Sequence, residues 1–191
     1  ASWLEEHASR TETGAIHKAS GRRLKAVVPM HTFGHPVELD ELQAVCQSWG
    51  IVLVEDAAES LGSYYKGKHT GTLSAFSALS FNGNKIITTG GGGMVLCQNA
   101  ELGARTKHIT TTAKVPHPFE FYHDEPGFNY RMPNLNAALG CAQMEALPAK
   151  EWVLGSTGVG GQLIGGIRYN IYSVAPIISE GEVHVLYLRP D

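Results

Sequence analysis

The sequence predicts an α/β fold in which a mainly parallel sheet lies between helices in a three-layer sandwich. Three neighbouring segments carry this prediction: an apolar strand-like segment at Lys25–His31, an amphipathic segment at Glu38–Trp49, and a β-branched run at Ile51–Val54. The first leads into a loop at Thr32–Pro36. A strand, a helix and a strand joined by short connections form a βαβ unit, which makes the two strands parallel through a right-handed crossover.

The helix prediction rests on the spacing of the apolar residues. They recur at intervals of three and four residues from Leu39 to Trp49, acidic residues crowd the first turn, and Gly50 supplies a stop signal. The run Ile51–Val54 is continuous rather than alternating, which is typical of a parallel strand covered on both faces. We predict that Lys25–His31 is a short buried strand as well.

Further elements are predicted along the rest of the chain. The predicted strands are Ala75–Phe81, Ile86–Thr89 and Met94–Cys97, of which the last two flank a tight glycine turn at Gly90–Gly93. The predicted helices are Ala100–His108, capped by Asn99, and Pro133–Leu147, with the proline in the first turn. The connecting segments are a turn-rich excursion at Tyr64–Gly71 and a long polar loop at Thr110–Tyr130. Long loops inside a domain usually carry function or contact a partner.

Composition and charge exclude several classes of protein. With 15 basic and 18 acidic residues among 191, the chain has no basic field for nucleic acid. No apolar run approaches the roughly 20 residues that span a bilayer, and the acidic N-terminus does not resemble a secretory signal. Its three cysteines form no CxxC pair, and no histidine spacing indicates a metal. We therefore expect a cytoplasmic protein without a metal site.

Three polar features mark the candidate site. Asp56 follows a predicted strand, Lys85 follows the next predicted core strand, and Gly90–Gly93 comes shortly afterwards. Ligands of open α/β sheets bind outside the carboxyl ends of the strands, so these groups are expected to face one crevice. Each also has an ordinary explanation: a structural ion pair, a surface lysine and a flexible turn. The glycines do not have the spacing of a nucleotide-binding P-loop.

Five ordered motifs between Arg22 and Leu147 resemble those of the DegT/StrS-type sugar aminotransferases. These enzymes use pyridoxal 5′-phosphate and have the aspartate aminotransferase, or type I, fold. The motifs are Val28–His35, Glu55–Gly62, Ser80–Lys85, Thr89–Met94 and Gly127–Met132. Three further segments are similar to the branch that aminates 4-keto-6-deoxy nucleotide sugars on routes to bacillosamine and legionaminic-type sugars: Lys107–His117, His123–Glu125 and Asn134–Gln143.

The resemblance implies a role for four residues around the cofactor. Lys85 matches the lysine that joins the cofactor aldehyde covalently and moves the proton during transfer. Asp56 matches the aspartate that faces the pyridine nitrogen and keeps it protonated. Ser80 matches a hydroxyl that binds the phosphate. Glu59 occupies a position, often glutamine in relatives, near the cofactor ring, where it would orient the polar substituents.

The resemblance implies one contact beyond the subunit itself, and the chemistry of three further residues makes them candidates for substrate contact. Asn129 matches an asparagine that reaches the cofactor phosphate of the neighbouring subunit. Arg131 is a candidate for the substrate diphosphate, with an interface salt bridge as the alternative. His31 and His35 are candidates for substrate contact, with a hydrogen-bonded loop histidine as the alternative.

Two functions follow from the resemblance, which covers about two thirds of the chain. Residues 1–149 are predicted to be part of an aminotransferase major domain, and residues 150–191 a glycine-rich segment without a match. The first hypothesis is transfer of an amino group from glutamate to a 4-keto-6-deoxy nucleotide sugar through pyridoxal phosphate. The second is a catalytically inactive, truncated derivative that serves as an oligomeric binding module. We expect a homodimer or a higher homo-oligomer in either case, since open sheet edges pair.

Overall fold

The structure is a computed structural model that describes residues 1–147, 162–164, 167–173 and 186–190. Its helices are α1 (Ser2–His7), α2 (Leu39–Trp49), α3 (Ala100–Thr110) and α4 (Asn134–Glu145), with a 3-10 turn at Thr32–Gly34. Its strands up to the central sheet are β1 (Ala8–Thr11), β2 (Gly14–His17), β3 (Arg23–Leu24), β4 (Ala26–Val27) and β5 (Val52–Asp56). The later strands are β6 (Tyr64–Tyr65), β7 (Lys68–His69), β8 (Phe76–Ser80), β9 (Gly93–Cys97), β10 (Lys114–Val115), β11 (Tyr122–His123), β12 (Gln162–Ile164), β13 (Ile167–Ser173) and β14 (Leu186–Pro190).

The central sheet has the strand order β4-β5-β8-β9. Strands β4, β5 and β8 run parallel, and β9 pairs with β8 in the antiparallel direction. Helix α2 connects β4 to β5, so the predicted βαβ unit is present. The predicted α/β fold with a mainly parallel sheet is confirmed.

Helix α2 forms as its sequence pattern predicts. Leu39, Cys46 and Trp49 are buried on the face that packs against the sheet, and the first turn is acidic. Gly50 ends the helix in the left-handed conformation (φ +60°), where its N–H donates to the carbonyl oxygens of Cys46 and Gln47. A side chain is disfavoured in this conformation, and glycine is the usual residue there.

Two predictions about buried strands are wrong. Within Lys25–His31 only Ala26–Val27 form a strand, and Val28 and Met30 are exposed. Pro29 has no N–H to give to a strand ladder, which limits the length of β4. Strand β5 is buried on alternate residues rather than throughout, since the side chain of Val52 is 45% exposed and that of Leu53 is 6% exposed.

The predicted strand at Ile86–Thr89 is also wrong. Residues 81–92 form a loop, closed at its base by hydrogen bonds from Phe81 N to Gly92 O and from Thr89 N to Phe81 O, each 3.0 Å. Ile87 is buried in a cluster with Leu79 and Phe81, so its apolar character reflects packing of the loop onto the core. The glycine run therefore leads into β9 and does not join two strands.

The remaining predictions agree in part with the structure. The excursion at Tyr64–Gly71 contains the hairpin β6–β7, and the loop at Thr110–Tyr130 contains the hairpin β10–β11. Pro133 precedes α4 instead of lying in its first turn. In the glycine-rich segment, the apolar runs at 167–178 and 183–188 also predict strands. Strands β13 and β14 cover 167–173 and 186–188 of these runs, and the remainder lie outside the described residues. Among the described helices, none has the length and apolar character required to cross a membrane.

The N-terminal cap of α3 gives a first testable prediction. The side chain of Asn99 accepts a hydrogen bond from Leu102 N at 2.9 Å, as the sequence predicted. We expect Asn99→Ala to lower the free energy of unfolding by about 1 kcal/mol, because a helix N–H loses its acceptor. Urea denaturation measures the change. Asn99→Asp, which retains an acceptor, is the matched control, and an equal loss in both variants would contradict the capping role.

Candidate active site

The candidate site lies at the carboxyl edge of the central sheet. Strands β5 and β8 are parallel neighbours, with Asp56 paired to Ala78. Asp56 ends β5, and Ser80 ends β8 two residues beyond Ala78. A carboxylate and a hydroxyl are thus brought to one edge, which is where ligands of α/β sheets bind.

The backbone fixes the position of Asp56. Its N–H donates to Pro29 O at 2.9 Å, and its carbonyl accepts from His31 N at 3.0 Å. The carboxylate oxygen Oδ1 accepts from Ala58 N at 3.1 Å. These contacts continue the pairing of β4 with β5 beyond their regular hydrogen bonds and hold the Asp56 carboxylate in one orientation.

Lys85 extends from the loop that joins β8 to β9. Its side chain is only 14% exposed, and Nζ lies 3.2 Å from Oε1 of Glu59. The loop is anchored by its buried base and by the Asn136 side chain of α4, which donates to Thr89 O. A lysine amine is therefore held within the fold and ion-paired, not free on the surface.

The partner of Lys85, Glu59, is held from its other side as well. Oε2 of Glu59 accepts a hydrogen bond from Phe33 N at 2.9 Å. Phe33 has φ +53° and ψ +28°, which is the left-handed region. A bulky residue there costs about 1–3 kcal/mol and persists only where the surroundings fix it.

His31 forms a fully buried pair with Glu55. Both side chains have 0% exposure, and Nε2 of His31 lies 3.0 Å from Oε2 of Glu55. Nδ1 of His31 accepts from Val37 N at 3.3 Å, so Nε2 carries the proton and donates to the carboxylate. With both nitrogens engaged and no exposed surface, this arrangement favours the structural alternative for His31 over contact with substrate.

Glu55 is the acceptor for four groups in all. In addition to His31, Gly71 N donates to Oε2 at 2.7 Å, and Leu73 N and the Ser74 hydroxyl donate to Oε1 at 2.9 Å. Burial alone would raise the pKa of the Glu55 carboxyl, but these hydrogen bonds outweigh burial and lower it from 4.5 to about 2. Glu55 is therefore charged in the interior and ties the segment after β7 to β5.

A close approach of two strands positions Ser80. Gly93 pairs with Ser80 across β8 and β9, and a Cβ at Gly93 would lie 2.3 Å from Leu79 O. Any side chain at this position would push the two strands apart. This glycine is thus required by packing, while the role of the neighbouring Gly90–Gly92 is to return the loop to the sheet.

Asn129 and Arg131 lie apart from the Lys85–Glu59 pair. Both are exposed and line a cavity of about 670 Å³ with Lys114, His117 and neighbouring residues. Arg131 also borders a second cavity of about 1100 Å³, which extends along β9 and α3 and has Ser80 in its wall. The structure thus brings Lys85 together with Glu59, and Asp56 to the same edge as Ser80. Arg131 and Lys114 form a separate basic face, on which Asn129 also lies.

Sequence reasoning missed two residues of the site. Glu55 had a visible signal, a carboxylate inside an otherwise apolar strand, which requires buried partners. Phe33 had none, since residue type does not indicate that a phenylalanine takes a left-handed conformation. Its contact with Glu59 joins segments 26 residues apart and appears only in the folded chain.

Comparison with known proteins places these features in context. A sequence model of the DegT/DnrJ/EryC1/StrS aminotransferase family matches residues 8–152. EpsN of Bacillus subtilis, whose name assigns it to the pyridoxal phosphate-dependent aminotransferases, is 42% identical over 130 residues, which are 68% of this chain and 33% of EpsN. GDP-perosamine synthase of Escherichia coli O157:H7 is 42% identical over 130 residues, or 68% of this chain and 35% of the synthase.

A solved structure agrees with the sequence relatives. Helicobacter pylori PseC, an aminotransferase involved in the biosynthesis of pseudoaminic acid, superposes with a TM-score of 0.64 at 29% identity. The superposition covers 69% of this chain and 36% of PseC. The chain therefore spans about a third of the length of the relatives that it matches.

Proposed function

This chain belongs to the DegT/DnrJ/EryC1/StrS aminotransferase family, whose members depend on pyridoxal 5′-phosphate, and we propose that it carries the lysine-bearing part of a nucleotide-sugar aminotransferase. Its fold is the type I fold of these enzymes. The observation that carries the proposal is the part-buried Lys85 amine on a fixed loop next to the sheet edge where Asp56 and Ser80 lie. An amine, a carboxylate and a hydroxyl are the groups that pyridoxal 5′-phosphate requires.

Each of these residues has a defined task in the proposal. Lys85 would hold the cofactor aldehyde through Nζ. Once the amino donor has displaced it, the same nitrogen would move the proton from the substrate carbon to the former aldehyde carbon of the cofactor. Asp56 would present its negative charge to the pyridine nitrogen, and Ser80 would bind the phosphate. The bound cofactor supplies an electron sink. Asp56 is suited to its task because its backbone and one carboxylate oxygen are already fixed by hydrogen bonds.

The proposed substrates are glutamate as the amino donor and a 4-keto-6-deoxy nucleotide sugar as the acceptor. Two relatives support the acceptor class, since one is named GDP-perosamine synthase and another is an aminotransferase involved in the biosynthesis of pseudoaminic acid. The basic face around Arg131 supports it too, because a guanidinium matches the oxygens of a diphosphate bidentately. We further propose that Asn129, exposed on the same face, reaches the cofactor phosphate of a neighbouring subunit in a homodimer or higher oligomer in the cytoplasm.

Isotope transfer tests the proposed reaction. The 191-residue protein, loaded with pyridoxal 5′-phosphate, is incubated with ¹⁵N-glutamate and a GDP-linked 4-keto-6-deoxy sugar, and mass spectrometry measures ¹⁵N in the sugar. We expect transfer in the parent protein. We expect Arg131→Ala to raise the KM for the nucleotide sugar about tenfold or more, since a charged hydrogen bond contributes about 1.5–3 kcal/mol.

Arg22→Ala, which removes an exposed arginine just before β3, is the matched control for loss of charge. Equal changes in KM for the two variants would remove Arg131 from the substrate site. Cofactor capture without any ¹⁵N transfer would favour the alternative function, a binding module without catalysis.

A further inference from the structure

We propose that Glu59 is a positioning residue for the Lys85 amine and that the left-handed turn at Phe33 is the anchor that makes this possible. The inference rests on the proposed function in one respect, that Lys85 is the lysine which binds the cofactor. It differs from the role that the resemblance implies for Glu59, which is to orient polar groups on the cofactor ring.

First, the two carboxylate oxygens of Glu59 contact different residues. Oε1 lies 3.2 Å from Nζ of Lys85, and Oε2 accepts from Phe33 N at 2.9 Å. A carboxylate held by one contact can still rotate about its terminal bond, but one held on both oxygens by different segments has a fixed plane. The side chain of Glu59 is 20% exposed and that of Lys85 is 14% exposed, so water competes weakly with their ion pair.

The second step concerns the turn that supplies the anchor. Gly34 N donates to His31 O and His35 N donates to Thr32 O, each at 3.0 Å, which closes the turn around Phe33. The turn starts directly after His31, whose side chain is fixed in the interior by Glu55. The buried His31 side chain thus fixes the start of the turn, and this holds Phe33 in its left-handed conformation. In this conformation the Phe33 N–H donates to Glu59.

The third step connects the anchor to reactivity. In the resting protein the Glu59 carboxylate accepts a hydrogen bond from the Lys85 amine and holds Nζ in one place. Nζ must leave Oε1 before it can attack an electrophile. Glu59 therefore protects the amine from small reagents, while it also places Nζ for a ligand that is itself oriented by the sheet edge.

The test measures the reactivity of the amine without any cofactor. The folded protein is treated briefly with a water-soluble acetylating reagent, and peptide mass spectrometry compares acetylation of Lys85 with that of the exposed Lys68. We expect Glu59→Ala and Glu59→Gln to increase the relative acetylation of Lys85 about tenfold, because both variants remove the ion pair that holds Nζ away from the reagent. Glu12→Ala removes an exposed carboxylate elsewhere and should leave the ratio unchanged.

Two substitutions at Phe33 separate its N–H from its side chain. Phe33→Pro removes the donor and cannot adopt a positive φ, so it should raise the acetylation of Lys85 at least threefold. Phe33→Gly retains the N–H and the left-handed backbone, so the ratio should stay within twofold of the parent. Circular dichroism confirms that each variant is folded, and if Phe33→Pro does not fold, the Glu59→Gln result decides.

A second measurement separates this inference from the proposed function. Borohydride trapping of pyridoxal 5′-phosphate on Lys85 should become about tenfold slower in Glu59→Ala, although the amine reacts faster with the small reagent. Unchanged acetylation of Lys85 in both Glu59 variants would overturn the positioning role, as would equal ratios for Phe33→Pro and Phe33→Gly. If the acetylation results hold but the parent traps no cofactor, the proposed function fails while the positioning role stands.

Discussion

Lys85→Ala is expected to abolish covalent capture of pyridoxal 5′-phosphate, with a loss of at least about 100-fold in cofactor trapped by borohydride and in amino-group transfer. In the proposed function the amine is both the attachment point and the group that moves the proton, and loss of a general acid–base alone lowers rates by about 10²–10⁴-fold. Visible absorption during titration with the cofactor, followed by peptide mass spectrometry after reduction, measures the effect.

The matched control is Lys107→Ala. Lys107 is exposed on α3 and borders the larger cavity, so it is available to the cofactor as a free lysine, but it is not part of the sheet edge. We expect this variant to trap as much cofactor as the parent protein. If Lys85→Ala traps an equal amount at other lysines, capture is unspecific and Lys85 is not the residue that binds the cofactor.

The second large effect is expected for stability. Glu55→Ala should lower the free energy of unfolding by about 3–5 kcal/mol, because several buried donors would each lose an acceptor at a cost of about 1–3 kcal/mol. His31 and two backbone N–H groups, those of Gly71 and Leu73, would lose their acceptor in a site closed to solvent. Urea denaturation at pH 7 measures the loss. Glu12→Ala, at an exposed position, should change the free energy by less than about 0.5 kcal/mol.

The pH dependence of unfolding checks the same residue independently. The pKa of the Glu55 carboxyl is about 2 in the folded protein and near 4.5 without these contacts. A lowered pKa stabilises the folded state above pH 4.5, and this contribution is lost as the pH falls towards 2. The difference in stability between the parent and Glu55→Gln should therefore shrink between pH 6 and pH 3. A difference that stays constant would mean that the charge of Glu55 contributes nothing.

The sequence was informative where local pattern and tertiary packing agree. The apolar spacing of α2, the stop at Gly50 and the cap at Asn99 are local signals, and all three are present in the structure. The parallel pairing of β4 and β5 followed from the short connections around α2. These features could be predicted because each depends on residues close together in the chain.

Prediction failed where burial comes from distant contacts. The apolar residues at Ile86–Thr89 have the composition of a strand, but the ladder position beside β8 is taken by β9, so Ile87 packs inward from a loop. The placement of Lys85 against Glu59, and of Glu59 against Phe33, depends on segments 26 residues apart in each case. The motifs indicated which residues matter, whereas their geometry required the folded chain.

Two adjacent carboxylates on β5 have opposite surroundings, and this contrast fixes the alignment of the strand. Glu55 lies in the dry interior with four hydrogen-bond donors, and Asp56 lies at the edge of the sheet. Because side chains alternate along a strand, a slip of β5 by a single residue would exchange the two environments. Glu55 would then leave His31 without its acceptor, and the shorter Asp56 would enter a pocket built for the longer side chain. The buried pair of Glu55 and His31 therefore makes a shifted register of β5 energetically unfavourable. The native register keeps the carboxylate of Asp56 at the edge of the sheet.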